Sequence, residues 1–306
     1  MIVAVFPGQG SQTPGFLAPW LELDGARERL AAYSEAAEVD LVAAGTEWDA
    51  DRIRDTKVAQ PLIVAASLLS SAALASRTTT SFSGVAGHSV GEIAALAAAG
   101  VFSETDGMRL VGIRGRAMAE AAALEETGMS AVLGGDEEAV LQRLAELDLT
   151  PANYNGGGQI VAAGALDKLA ELAADAPERA RVMPLKVAGA FHTRYMAPAV
   201  QTLRAAASEV AANDPALPLW TNFDGSVLES GTAAIDRLVA QVASPVRWDL
   251  CMASFAESGV TGLIEFSPAG TLVGLAKRAL KGVPAVAVKT PEDLAAAAAL
   301  LEGDAE

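Results

Sequence analysis

Short, wholly apolar runs alternate along this chain with longer stretches in which apolar residues recur every three to four positions. Runs of four to six apolar residues bounded by Gly or Pro read as buried strands, and the 3.6-residue period reads as amphipathic helix. Strands are predicted at 1–6, 82–87, 218–222, 264–266 and 283–288. Helical segments fall around 25–45 and 50–56, then at 92–99, 104–123, 197–212, 232–243 and 271–280, with another opening at 245–248. The apolar stretch 61–75 reads as a buried helix, too short and too rich in Ala and Ser to span a bilayer. Thr290 followed by Pro291 marks the start of a closing Ala/Leu helix, with Thr as cap and Pro at the first helical position. Strands alternating with helices in this way predict an α/β fold around a parallel sheet.

Between 127 and 188 the rhythm changes. Strands at 129–134, 151–155, 159–164 and 181–187 enclose helices at 136–147 and 166–174, the βαββαβ order of a ferredoxin-like unit. The reading is a small domain, 127–188, inserted into a large α/β domain made of 1–126 and 189–306.

Candidate chemistry concentrates where the second strand ends. Gly87-His88-Ser89-Val90-Gly91 matches G-x-S-x-G, with a strand before it and an Ala/Leu-rich helix after it. The two glycines permit a tight turn and close helix packing, and Ser89 stands at a helix N-terminus suited to an oxyanion. A bare G-x-S-x-G is also found in ordinary surface turns, so the strand–turn–helix context is what makes Ser89 a candidate nucleophile. The loop after the first strand, Gly8-Gln9-Gly10, fails the dinucleotide pattern because Thr13 stands where the last Gly belongs. It is better suited to offering backbone N–H groups to the pocket of Ser89. Arg109, Arg114 and Arg116 share one helix, and not all of them can face solvent.

A serine nucleophile needs a base, and His88 and His192 are the only histidines. His88 adjoins the serine and should point away from it, which leaves His192, in the loop following the insert. No carboxylate to orient His192 can be named, since Asp136, Asp148, Asp167 and Asp175 all fall in the insert. A backbone carbonyl can serve instead.

The net charge of −16 argues against a nucleic-acid partner. One cysteine, Cys251, rules out an internal disulfide, and with two histidines leaves no zinc site of the usual kind. The first residues lack the basic and apolar regions of a signal peptide. A cytoplasmic protein without a membrane partner is expected.

With these residues in place, the chain resembles the malonyl-CoA:acyl carrier protein transacylases of fatty-acid and polyketide synthesis. The resemblance runs from 1 to about 299. It is carried by FPGQGSQ at 6–12, GHSVGE at 87–92, and Arg114-Gly115-Arg116-Ala117-Met118, whose Arg lies 25 residues beyond the serine. Asn153-Tyr154-Asn155 with Gln159, Gly189-Ala190-Phe191-His192, Gln241 with Pro245-Val246, and Pro268-Ala269-Gly270 with Leu272, Gly274 and Leu275 continue it.

The resemblance implies a large domain with a mostly parallel, α/β-hydrolase-like (patatin-like) sheet and the inserted ferredoxin-like domain. It implies Ser89 as nucleophile, His192 as base and the Gln241 carbonyl as its orienting group. Backbone N–H groups of Gln9 and Val90 would form the oxyanion hole, and Arg114 would grip the malonyl carboxylate. Asn153, Asn155 and Phe191 would contact substrate; in related polyketide domains a Phe before the His goes with malonyl and a Ser with methylmalonyl. Malonyl-CoA and acyl carrier protein are the implied partners, with no metal or redox cofactor, and a monomer is expected. Val90 replaces the family's frequent Leu, and Ser244 replaces the Asn usual before Pro-Val.

Two rivals are weighed. A serine esterase or thioesterase would also use the elbow, yet has no use for Arg114 in its acyl pocket. A non-catalytic carrier-docking module would not need both Ser89 and His192. Because carrier proteins are acidic, docking on so acidic a chain requires a local basic rim. Lys186 and Arg194, which flank His192, are the first expectation, and Lys277, Arg278 and Lys281 the second.

Overall fold

The computed structural model describes residues 1–303; residues 304–306, the last of the stretch assigned to the large domain, lie outside the described residues. Its strands are β1 (Ile2–Phe6), β2 (Gly84–Gly87), β3 (Thr127–Gly134), β4 (Thr150–Gly156), β5 (Gln159–Ala165) and β6 (Ala180–Pro184). They continue with β7 (Leu219–Trp220), β8 (Val227–Leu228), β9 (Val246–Arg247), β10 (Gly262–Glu265) and β11 (Ala285–Ala287). The first sheet has the order β11-β10-β1-β2-β7-β8 and is parallel except for β8. Central strand β1 explains why the sequence shows unbroken apolar runs. Ala4 and Phe6 enter one core cluster while Val3 and Val5 enter the other, so both faces are covered. Helices Ala26–Ala37, Thr56–Ala75, Gly91–Ala98 and Glu104–Ala122 supply the first cluster; Trp248–Glu257 and Thr271–Ala279 supply the second.

The second sheet has the order β6-β3-β5-β4-β9. Its first four strands are antiparallel neighbours in the ferredoxin-like arrangement. The fifth corrects the sequence reading. Residues 245–248 were expected simply to open a helix, but Val246 and Arg247 first pair in parallel with Asn153 and Tyr154. The βαββαβ unit leaves the edge of β4 open, and the returning chain closes it, so the sheet is not built from 127–188 alone.

Other differences have local causes. The apolar helix begins at Thr56, capped by Asp55, and carries Pro61 inside it. At 20 residues it is long and apolar enough to cross a membrane, contrary to the reading from 61–75, but 78% of its apolar window is buried inside the fold. The segment 25–45 breaks where Glu38 turns left-handed at φ 58°, giving Ala26–Ala37 and Leu41–Thr46, and 50–56 shrinks to one 3₁₀ turn at Arg52–Arg54. The helix predicted at 197–212 stops at Ala207, and the last strand of the ferredoxin-like unit stops at Pro184. Strand β8, two residues long, carried no readable period.

The elbow depends on close backbone approach. A Cβ on Gly87 would lie 2.1 Å from the Gly91 carbonyl, and one on Gly91 would lie 2.1 Å from the Phe6 carbonyl oxygen. Gly91→Ala should therefore cost about 1–3 kcal/mol. Gly274→Ala, in helix Thr271–Ala279 with nothing within 4 Å of its Cβ, should instead gain about 0.5–1 kcal/mol. Urea unfolding of the two variants checks the pair of opposite signs.

Candidate active site

β2 ends at Gly87 and the next helix begins at Gly91, so only His88, Ser89 and Val90 make the turn. Ser89 is left-handed, at φ 52°. The strain is held by hydrogen bonds on both sides. Asn222, just past β7, accepts from Ser89 N–H at 2.7 Å and donates through Nδ2 to the Gly87 carbonyl at 2.7 Å. Gly91 N–H donates to the His88 carbonyl at 2.9 Å and Glu92 N–H to the Ser89 carbonyl at 3.0 Å. The N–H groups of Ser89, Gly91 and Glu92 are thus occupied, while Val90 N–H has no hydrogen-bond partner among the described residues.

The first loop presses on this turn. A Cβ on Gly8 would meet His88 Nδ1 at 3.0 Å and Ser89 Cβ at 3.7 Å. The Gln9 side chain donates to the Arg54 carbonyl at 3.1 Å, and Gln9 is among the residues lining the pocket.

The second element is the loop 189–193. Ala190 N–H donates to Thr127 Oγ1 at 3.0 Å, and Thr193 Oγ1 donates to the Ala190 carbonyl at 2.6 Å. Between them His192 is left-handed, at φ 61°. Its Nε2 lies 2.7 Å from Ser89 Oγ and its Nδ1 lies 2.8 Å from the Gln241 carbonyl oxygen. A carbonyl only accepts, so Nδ1 carries the proton and Nε2 is left to accept from the serine hydroxyl. Burial, reinforced by the nearby charge of Arg114, pushes His192 down to about 3. The imidazole is therefore neutral at physiological pH.

Arg114, on helix Glu104–Ala122, is 1% exposed. Nη1 donates to Gln60 Oε1 at 2.6 Å and Nη2 to Gln241 Oε1 at 3.0 Å, while Nε has no partner. Of the three arginines on that helix it alone is buried. Arg109 pairs with Glu209, and Arg116 with Glu38. Gln241 thus serves two roles: its carbonyl orients His192, and its side chain bridges Arg114 to Glu92.

A cavity of about 250 Å³ opens over Ser89 and His192. Asn153 and Phe191 line it, with Leu272 and Leu275 among its apolar residues. Asn155 lines it as well, and its Oδ1 accepts from His88 Nε2 at 2.9 Å. That contact, with edge-on packing against Trp248 at 5.7 Å between ring centroids, holds the His88 ring on Asn155 and Trp248. Ser244, in place of the usual Asn, donates its backbone N–H to the Gln241 carbonyl at 3.2 Å. Among the described residues no group of three or more His, Cys, Asp or Glu is placed to hold a metal.

Three residues of the site escaped sequence reasoning. Gln60 and Asn222 stand outside any motif, and only the buried hydrogen bonds reveal them. Glu92 directly follows the G-x-S-x-G run, which is the one signal that singles it out.

Comparison with known proteins gives a consistent result. The malonyl CoA-acyl carrier protein transacylase of Mycobacterium tuberculosis is 56% identical over 296 residues, covering 96% of this chain and 98% of the relative. The enzyme of the same name from Escherichia coli is 34% identical over 300 residues, covering 96% and 97%. The crystal structure of MCAT from Mycobacterium tuberculosis superposes with a TM-score of 0.95 over 97% of this chain and 99% of that one. A malonyl-transacylase solved in complex with its type II PKS acyl-carrier protein is 30% identical, with a TM-score of 0.91 over 99% of each chain. The acyl transferase domain matches residues 3–298, and the chain belongs to that family.

Proposed function

We propose that this protein transfers the malonyl group of malonyl-CoA to the phosphopantetheine thiol of acyl carrier protein through an ester on Ser89, for fatty-acid or polyketide synthesis. The observation that carries the reading is the line Ser89 Oγ, His192 Nε2, His192 Nδ1, Gln241 carbonyl at 2.7 and 2.8 Å, with a buried arginine behind it.

In the first half-reaction His192 Nε2 takes the Ser89 proton as Oγ attacks the thioester carbonyl. The oxyanion is received by the backbone N–H groups of Val90 and Gln9, at the mouth of a helix whose dipole favours negative charge. The C–S bond then breaks, and His192 returns the proton to the departing coenzyme A thiol. In the second half, His192 deprotonates the carrier's thiol, the thiolate attacks the ester, and the proton passes to Ser89 Oγ as the C–O bond breaks. Arg114 binds the malonyl carboxylate. Only two of its five N–H donors are used on protein partners, both neutral amides, so donors remain for a carboxylate. Asn153, Asn155 and Phe191 position the acyl chain. Each proton and each charge in this scheme is handled by a residue of the chain. The reading includes a monomer in the cytoplasm, where the lone Cys251, buried and unpaired, suits a reducing medium.

Mixing the protein with malonyl-CoA should add one malonyl group, found on Ser89 by peptide mass, and transfer should follow ping-pong kinetics. Ser89→Ala should remove the adduct; labelling unchanged in that variant would sink the assignment. Arg114→Ala leaves a buried malonyl carboxylate unpaired, at about 3–5 kcal/mol. Malonyl transfer should fall roughly 10²–10³-fold or more, while acetyl transfer holds or improves. An equal fall for both acyl groups would make Arg114 structural only.

Of the two candidate docking rims for the carrier, the pairing of the basic residues favours the second. Arg194 makes a two-pronged bond to Asp148, at 3.2 and 2.7 Å, which neutralises it and leaves Lys186 alone on that side. Arg278, by contrast, donates to the neutral Gln159 side chain at 2.9 Å and makes no salt bridge among the described residues, and Lys277 and Lys281 are exposed beside it. Their helix lines the cavity through Leu272 and Leu275. Charge reversal at Lys277 and Lys281 should raise KM for carrier protein, more at low salt, and leave labelling by malonyl-CoA nearly unchanged. If reversal at Lys186 has the larger effect, the rim lies on the other side.

A further inference from the structure

Beneath the elbow, the contacts end on a carboxylate that the transfer chemistry does not use. Glu92, in the first turn of helix Gly91–Ala98, is 3% exposed. It accepts from the Asn222 backbone N–H and from the Gln241 side-chain amide, and makes no salt bridge among the described residues. The Gln241 amide oxygen in turn accepts from Arg114 Nη2 at 3.0 Å. One amide therefore separates a buried carboxylate from a buried guanidinium, whose other partner, Gln60, is also neutral. The guanidinium keeps its proton at any ordinary pH, so the charge of this interior is set by Glu92.

We propose that Glu92 is the counter-charge of Arg114 in the empty site and takes up a proton from solvent when a malonyl carboxylate arrives on Arg114. The inference rests on the reading of Arg114 given above. Two carboxylates around one buried cation leave an excess negative charge in a medium of low dielectric, where like charges cannot both stay ionised. Adding H⁺ to the Glu92 carboxylate restores neutrality. An acetyl group brings no second carboxylate and leaves Glu92 as it was.

The surroundings of Glu92 balance its two states. Ionised, it holds two N–H donors and has the Thr221 hydroxyl beside it, all favouring the charged form, while burial favours the protonated one. Burial raises it to about 7, held down by the Asn222 N–H and by the charge of Arg114, so it sits close to its transition at neutral pH. The other titratable groups packed around it do not change state there. His192 and His88 are pushed down by burial and stay neutral, and burial keeps the Cys251 thiol protonated.

By linkage, proton uptake on malonyl binding means that malonyl binds better on the acid side of the Glu92 transition than on the alkaline side. Each unit by which malonyl raises Glu92 makes a tenfold difference between the two sides. The ratio of malonyl to acetyl kcat/KM should fall as pH rises through about 7 and beyond. Coenzyme A is common to both substrates, so its own titrations cancel in that ratio.

The test is to load the intact protein with malonyl-CoA or acetyl-CoA in weakly buffered indicator solution just above neutrality. Protons are counted by stopped flow, and the Ser89 adduct is confirmed by mass. Malonylation should take up protons that acetylation does not, and the infrared difference spectrum should gain a protonated carboxyl band. Glu92→Gln should abolish the extra uptake, the band and the pH dependence of the substrate ratio. The wild-type comparison of the two acyl groups stands even if that variant folds poorly. Malonyl on Ser89 with no excess uptake, or equal uptake for both acyl groups, overturns the role of Glu92 and leaves the transferase reading intact. No malonyl on Ser89 overturns both.

Discussion

Gln241 is held at the end of helix Gly231–Gln241, and both halves of the site hang on it. Its main-chain carbonyl sets the tautomer of His192; its side chain meets Arg114, Glu92 and the Ser89 carbonyl. His192 and Arg114 are therefore both positioned by the same residue. A shift of this helix end would move both together. That coupling is useful where a nucleophile and a carboxylate anchor must stay at one distance, since small misplacements cost orders of magnitude in rate.

Ser89 and His192, the proposed reacting pair, are two of the five non-glycine residues at positive φ among the described residues, and the only two of these that are in the site. Such an arrangement costs on the order of 1–3 kcal/mol each and persists only where neighbours over-determine it. The neighbours are identifiable. Asn222 grips the elbow from β7, and Thr127 and Thr193 brace the histidine loop. Thr127 opens β3, so the second sheet takes part in holding the base although it contributes no reacting atom.

How much of this was legible follows from how local each signal is. The elbow could be read because two glycines and a serine at fixed spacing answer to a steric need of the turn itself. His192 could be read because only two histidines exist and the other adjoins the serine. Arg114 could not be singled out by pattern, since three arginines share its helix and burial of one is decided by what packs over it; the family resemblance picked it out. Gln60 reaches Arg114 across 54 residues of chain, and Glu92 reaches Asn222 and Gln241 across 130 and 149, and no period encodes such contacts. Strands β8 and β9 escaped for a related reason. Two residues have no period, and β9 forms because β4 offers an open edge, a fact of tertiary structure.

The absence of a carboxylate behind His192 has a physical reason in the same network. An aspartate accepting from Nδ1 would hold the imidazolium more firmly and raise the basicity of the ring. It would also bring a second anion, besides Glu92, into the interior that contains Arg114, whose charge already bears on His192. That anion would compete with a substrate carboxylate for the guanidinium, and the pair would close on itself before substrate entered. A main-chain carbonyl fixes the tautomer as well and carries no net charge. The cost is a weaker base: burial and the charge of Arg114 push His192 down to about 3, and the carbonyl offsets them only in part. A thioester asks less of its base than an amide does, because a thiolate leaves readily. An arginine left free for an acyl carboxylate and a histidine oriented by a neutral oxygen are, on this argument, two consequences of one requirement: no anion of the interior touches the guanidinium directly, and even Glu92 is kept one amide away from it.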